Sequence, residues 1–235
     1  MGKNLKSLLS QNRTSIFTHT ITKDQAVLQM SKEFEFDKVI KIFEEDNLTI
    51  KPFKGMYLNL EVYTKNKRYC DDIDLIANLT DFRKIHELLL KNGYRKVSSL
   101  VNIFRLQVTY KKKNIELDIH YCLKSFTGKR NYYLFTKSKS EELVLNMFFL
   151  IDNCIRDLVF DEKRIKDISN LAYLIDLKLL EIFVARFKMK EKIEIYISFL
   201  NGKFEEDYPI LHKASLTSGY KRKLYKLILG NKIFD

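Results

Sequence analysis

The chain has 235 residues, 46% of them hydrophobic and 13% aromatic, with only seven glycines and two prolines and a formal net charge of +12. That composition supports one packed domain, or a core with a helical appendage, and excludes a disordered or low-complexity chain. Three cysteines, Cys70, Cys122 and Cys154, share no ligand spacing and argue against a disulfide framework or zinc site, and the longest apolar run, at 143–151, is too short to span a bilayer and contains Asn146.

With no stretch resembling a signal peptide, the expected setting is the cytoplasm, with reduced thiols and no membrane partner. The positive charge suits a polyanion such as RNA, or a nucleoside triphosphate. Its excess is mostly lysine, which gives a diffuse basic surface more than a set of specific phosphate clamps.

Residues 1–22 are polar and lack a sustained period, as a loose arm or a short first helix would. From 23 to 46, Val27, Met30, Phe34, Val39, Ile42 and Phe43 fit one or two amphipathic helices, broken or bent near Phe36-Asp37 and packed on the back of a sheet. Residues 48–53 form the first core strand, with Pro52 near its end, where a missing N–H does least harm to pairing. Lys54-Gly55-Met56 then makes a strand-to-helix turn. Glycine there lets backbone approach a ligand, and the first N–H groups of the next helix favour phosphate oxygens. Met56, Leu60 and Tyr63 carry that helix from Gly55 to about residue 66.

A basic connection, Lys65-Asn66-Lys67-Arg68, leads into Tyr-Cys-Asp-Asp-Ile-Asp-Leu75. If 72–75 is a strand, Asp72 and Asp74 share one face, whereas Asp71 has the opposite phase and starts the strand. Paired carboxylates repel, and a divalent cation held by oxygen ligands supplies the compensating charge. A solvated polar strand is the plainer explanation of Asp-x-Asp alone. Residues 80–92 read as a helix stopped by Asn92-Gly93, with His86 on its surface. Strands follow at 94–97, 103–110 and 115–122, the last two joined by a basic turn. In the third, Ile115, Leu117 and Ile119 alternate with Glu116, Asp118 and His120, so a third carboxylate and an imidazole share a face.

Beyond Gly128 the pattern is helical. Ser138-x-x-Glu141 has the form of a capping box, opening a helix with Leu143, Met147, Phe148, Ile151 and Ile155 inward. Further helices run to Leu200, with Asn201-Gly202 as a stop, and one or two short basic helices close the chain. The expected organisation is a helical segment over 1–46, an α/β core over 47–125, and a helical region over 126–235 that shapes the acceptor side of a cleft.

Phe53-Lys54-Gly55, a tyrosine-bearing helix with Tyr57 and Tyr63, Arg68 four residues before Asp72-Ile73-Asp74-Leu75, Gly93-Tyr94 and Asp118-Ile119-His120 occur in an order and spacing that resemble one family. It is the family of uncharacterised nucleotidyltransferases within the DNA polymerase beta-like superfamily. The resemblance covers residues 48–123 well, and Arg164 and Asp167 echo a basic-acidic helix farther on. In one departure, the superfamily's turn commonly has a second small residue where this chain has Met56.

The resemblance implies an α+β fold, a mixed sheet flanked by helices and followed by a C-terminal helical region. It also implies transfer of a nucleoside monophosphate from a nucleoside triphosphate, the donor, to an acceptor hydroxyl, with Mg²⁺ or Mn²⁺ held by Asp72, Asp74 and Asp118. Asp118 would bind the metal nearest the acceptor or assist its deprotonation; Lys54, Gly55 and Arg68 would meet the triphosphate. His120 would orient a carboxylate, touch the acceptor or make a structural hydrogen bond. The acceptor class, small molecule, protein or RNA, stays open. The alternative is a catalytically silent nucleotide- or RNA-binding module of the same fold.

Overall fold

The structure, a computed structural model, describes residues 18–63, 67–97, 106–122, 132–136 and 138–216. The expectations for the N-terminal arm, for residues 65, 66 and 103–105, for Gly128 and for the basic tail after 216 fall outside those residues. The described chain divides into two compact units, one up to residue 136 and one from 138 onward.

The first unit is built on a five-stranded mixed sheet of β1 (Ile50–Pro52), β2 (Ile73–Ala77), β3 (Arg95–Lys96), β4 (Gln107–Lys112) and β5 (Ile115–His120), in the order β1-β2-β5-β4-β3. Proline is tolerated in β1 because that strand lies at the edge. The β2–β5 pair is parallel and the others antiparallel. Alternation along the central pair divides its side chains. Ile73, Leu75, Ala77, Leu117 and Ile119 join the apolar core with residues of α1 (Lys23–Glu45) and α3 (Phe82–Lys91). Asp74, Asp118 and His120 belong to the opposite face, nearer α2 (Lys54–Glu61) and the short α4 (Tyr132–Phe135). That second face is also buried, which makes its charges costly and therefore informative.

Helix α1 takes the one-helix alternative, without a break, and departs from the expected stripe in its first half. It is one continuous helix across Phe36-Asp37, opened by a capping box in which Thr22 and Gln25 bond reciprocally. Its inward stripe is Gln29, Lys32, Phe36, Val39 and Phe43, with Glu35 beside it, whereas Val27, Met30 and Phe34 are 66%, 70% and 63% exposed. The reason is what this half of the helix faces. Lys32 donates to the carbonyls of Cys70 and Asp71 and to the Tyr69 hydroxyl, while Gln29 Oε1 accepts the Cys70 N–H at 2.9 Å. A polar loop needs polar partners when buried, so the apolar stripe is displaced.

Helix α2 ends at Glu61, short of the expected residue 66, because Val62 and Tyr63 both turn their N–H groups back onto the Leu58 carbonyl. On α3, His86 is half-buried and bonds the Tyr110 hydroxyl at 3.0 Å. Asn92 caps this helix, and Gly93, at φ +82°, takes the left-handed turn.

The second unit is all helical: α5 (Lys139–Asp157), α6 (Glu162–Leu174), α7 (Leu177–Arg186), α8 (Lys190–Leu200), α9 (Phe204–Asp207) and α10 (Pro209–Ser215). Leu143, Met147, Phe148, Ile151 and Ile155 of α5 are buried as expected. Ser138 stands at its N-cap but its side chain makes no capping bond, so the expected box does not form. Caps do form at Asp161, which accepts from the Arg164 N–H, and at Asp176, which accepts from that of Leu179. Arg164 bridges to Asp157 and Asp161, and Asp167 is buried. No described helix is long and apolar enough to cross a membrane.

Candidate active site

The parallel register of β2 and β5 sets Asp74 opposite Asp118, and Ile76 opposite His120. Two carboxylates and an imidazole thus meet on one face, each no more than 7% exposed. One ligand atom from each lies within 4.8 Å of the others, the only group among the described residues so arranged to hold a metal ion.

Two polar neighbours, Lys54 and Gln107, set the electrostatics of this group. Lys54 Nζ lies 2.7 Å from Asp74 Oδ1 and 3.4 Å from His120 Nε2, and His120 Nε2 is itself 2.8 Å from the same Asp74 oxygen. Gln107, at the start of β4, donates its amide to Asp118 Oδ2 at 2.6 Å. Asp118 Oδ1 is buried and has no hydrogen-bond donor. The aromatic rings of Phe53 and Tyr133 wall this face, with Phe53 edge-on to His120 at 5.7 Å and to Tyr133 at 5.4 Å.

Burial alone would raise the pKa of Asp74, but the Lys54 ammonium and the His120 hydrogen bond outweigh it and hold the carboxyl well below the usual range. For His120, burial and then the Lys54 charge lower the pKa, against the pull of Asp74, so the ring is neutral near pH 7. A neutral imidazole either donates to the Asp74 carboxylate or accepts from the ammonium, according to its tautomer. Asp72 precedes β2 and is half-buried. Burial and then repulsion from Asp74 push its carboxyl up to about 7.

Asp74, Asp118, His120 and Lys54 therefore come together, with Asp72 close enough to feel their charge. Gly55 and Arg68 form a second cluster. A Cβ added at Gly55 would stand 2.7 Å from Arg68 Nη2 and 2.8 Å from Cys70 Sγ, so any larger residue there must displace these packed side chains. Arg68 is only 6% exposed, and its backbone is held from both sides by Asn59, whose amide donates to the Arg68 carbonyl and accepts its N–H. Lys54 adopts a left-handed backbone, φ +46°, uncommon for a residue with a side chain. It does so at the start of α2, where its chain turns toward Asp74.

Sequence reasoning missed the supporting residues Gln107, Lys32, Gln29 and Asn59. A usable signal existed for two of them. Gln29 and Lys32 continue the helical stripe through Phe36, Val39 and Phe43, and a polar residue on a buried stripe marks a buried partner.

The donor set of two carboxylates and an imidazole, with one buried oxygen lacking a donor, suits a hard divalent cation such as Mg²⁺ or Mn²⁺. No curated protein matches the sequence significantly. Among solved structures, the solution structure of the antibiotic-resistance factor ANT(2'')-Ia matches with a TM-score of 0.51 at 14% identity, over 69% of this chain and 94% of that one. A crystal structure of ANT(2'')-Ia in complex with adenylyl-2''-tobramycin gives a TM-score of 0.48 at 14% identity, over 72% and 99%. The first likeness bears on fold, a nucleotidyltransferase-like mixed sheet followed by helices. A sequence model of the uncharacterised nucleotidyltransferases matches residues 8–144, more than half the chain and the whole stretch that carries the carboxylates, and the protein belongs to that family.

Proposed function

We propose that the protein moves a nucleoside monophosphate from a nucleoside triphosphate to an acceptor hydroxyl with a divalent metal, Mg²⁺ or Mn²⁺, held by Asp74 and Asp118 with Asp72 and His120 beside them. The observation that carries this reading is the buried Asp118 oxygen without a donor, paired in register with Asp74. Nature rarely leaves such an oxygen unmet, and a cation is the partner that two adjacent carboxylates need.

In the reaction the acceptor oxygen bonds to the α-phosphorus, the bond to the leaving pyrophosphate breaks, and the hydroxyl proton departs. The metal, when bound, supplies positive charge to the phosphate oxygens as charge builds on them. His120 fixes the Asp74 carboxylate through the 2.8 Å contact, and Gln107 fixes Asp118. With Oδ2 engaged by Gln107, Asp118 Oδ1 is the oxygen left for the cation or the acceptor's proton. Lys54, at the start of α2, carries the cationic group suited to the triphosphate, and the first backbone N–H groups of that helix suit its oxygens. Arg68 supports this turn from beneath, against Gly55.

The test is to incubate the purified protein with each α-³²P-labelled nucleoside triphosphate and Mg²⁺ or Mn²⁺ in fractionated cell lysate, with Asp74→Ala/Asp118→Ala as control. Label moving into one fraction with the wild type only identifies the transfer and its acceptor class. Nucleotide binding with no labelling under any nucleotide or metal would favour the silent module.

A further inference from the structure

Asp74 Oδ1 is the atom on which the site converges. It is a member of the metal-ligating group, and it already has a cation, because the Lys54 ammonium lies 2.7 Å away and 3.4 Å from the His120 nitrogen of the same group. From these contacts we propose that Lys54 is an exchangeable internal counter-ion, which occupies the cation position on Asp74 and yields it when a divalent ion binds. The proposal rests on the metal-dependent reading above and deepens it.

Three features support exchange over a permanent ion pair. The first is incomplete neutralisation. A single ammonium meets Asp74 and leaves Asp118 Oδ1 with no donor, whereas a doubly charged ion can answer both carboxylates. The second is access: the Lys54 side chain is 21% exposed, against 5% for Asp74 and 8% for His120, so the lysine is the member of the trio with a route out. The third is backbone conformation. Lys54 holds φ +46° on the residue that places the ammonium over the carboxylate, and strained backbone of this kind clusters at ligand sites. The other basic side chains nearby are engaged elsewhere: Lys32 on loop carbonyls, Lys67 on Glu33, and Arg68 against Gly55.

The consequence is competition. Metal alone must displace Lys54 and binds weakly. The released ammonium stands beside Gly55 and the start of α2, where a triphosphate would receive it, so metal and nucleotide bind more readily together than apart.

The experiment measures Mn²⁺ binding to the full chain without nucleotide, by the paramagnetic resonance signal of free Mn²⁺, for wild type, Lys54→Met and Lys54→Gly; the glycine variant also relieves the backbone. Both variants should bind Mn²⁺ at least about tenfold tighter than wild type and gain more thermal stability from it, since their Asp74 has no resident cation. Equal or weaker binding overturns the proposal. Adding Asp118→Asn to Lys54→Met separates the two readings. Loss of the bound ion shows that it sits on these carboxylates, so that a failure of the single variants then counts against the counter-ion alone; retention overturns the metal reading as well. In the wild type itself, the Lys54 ammonium resonance, assigned by its absence in Lys54→Arg, should shift with saturating Mg²⁺. A resonance unmoved at saturation overturns the exchange whether or not the variants fold.

Discussion

In the helical unit the buried Asp152 carboxylate meets Lys192 at 2.5 Å, one anion to one cation, and Ser198 donates to Asp207 at 2.7 Å. In the sheet unit Asp74 and Asp118 lie side by side in register with one close ammonium, that of Lys54, on Asp74, and burial followed by repulsion from Asp74 raises the Asp72 carboxyl to about 7. Both units bury charge, and Asp152 Oδ2, like Asp118 Oδ1, has no donor; among the described residues, however, only the sheet unit clusters a second carboxylate and an imidazole around such an oxygen. A balanced buried pair costs desolvation and is explained by architecture; an unbalanced group calls for a ligand that supplies the missing charge. The difference supports placing the proposed site in the sheet unit.

The largest expected contrast comes from neutralising one carboxylate in each unit. Asp74→Asn should lower nucleotidyl transfer by about a thousandfold or more, with an unchanged circular dichroism spectrum, because it removes a carboxylate that would hold the metal in the proposed reaction. Asp152→Asn should do the reverse: it leaves the Lys192 ammonium without its buried carboxylate, costs about 3 kcal/mol in urea unfolding, and leaves Mn²⁺ affinity as it was. Full transfer activity in Asp74→Asn, or loss of metal binding in Asp152→Asn, would break the division.

A pH titration of stability without metal sharpens it. For Asp72 the folded carboxyl titrates near 7 and the unfolded one near 3.8. Between those values the unfolded chain has lost a proton that the folded chain retains, so this residue's contribution to stability falls as pH rises and is flat above the window. Asp72→Asn should remove that fall, and saturating Mn²⁺ should reduce it. A wild-type melting profile that matches Asp72→Asn across the window would show that the charges are already balanced.

A third effect tests the support beneath the turn. Gly55→Ala places a methyl group within 2.8 Å of both Arg68 Nη2 and Cys70 Sγ, neither of which is backbone. Crowding of this kind costs about 1–3 kcal/mol, measurable in urea, and pairing it with Cys70→Ala should recover part of the loss. No recovery in the double variant would place the strain elsewhere.

Most of this architecture was legible in the sequence because it depends on short-period pattern. Alternation through Asp118-Ile119-His120 identifies a strand with its acids on one face, and Asn92-Gly93 and Asn201-Gly202 end helices where expected. Strand pairing was not legible, since the parallel register that sets Asp74 opposite Asp118 depends on residues 44 apart with no local sign of one another. On α1 the expected Val39, Ile42 and Phe43 do pack on the core, but the first half of the stripe differs for a related reason. Val27, Met30 and Phe34 fit an apolar stripe as well as any, but the surface opposite is the polar loop before β2, known only once the chain has folded. Arg68 matches the family pattern as a triphosphate contact, and its packing against Gly55 is visible only in the fold.

The smallest effect separates two caps that look alike in sequence. Thr22-x-x-Gln25 and Ser138-x-x-Glu141 each offer a hydroxyl followed three residues later by a side chain able to reach back. At α1 both bonds form: the Gln25 N–H to Thr22 Oγ1 at 3.2 Å and the Thr22 N–H to Gln25 Oε1 at 3.0 Å. At α5 the serine side chain makes no capping bond, and the helix starts from its apolar face with Glu141 and Glu142 in the first turn. Thr22→Ala should therefore cost about 1 kcal/mol and Ser138→Ala less than about 0.5 kcal/mol in matched urea titrations. Equal losses would mean that the second box closes in solution, giving the helical unit the same local start signal that anchors α1 in the sheet unit.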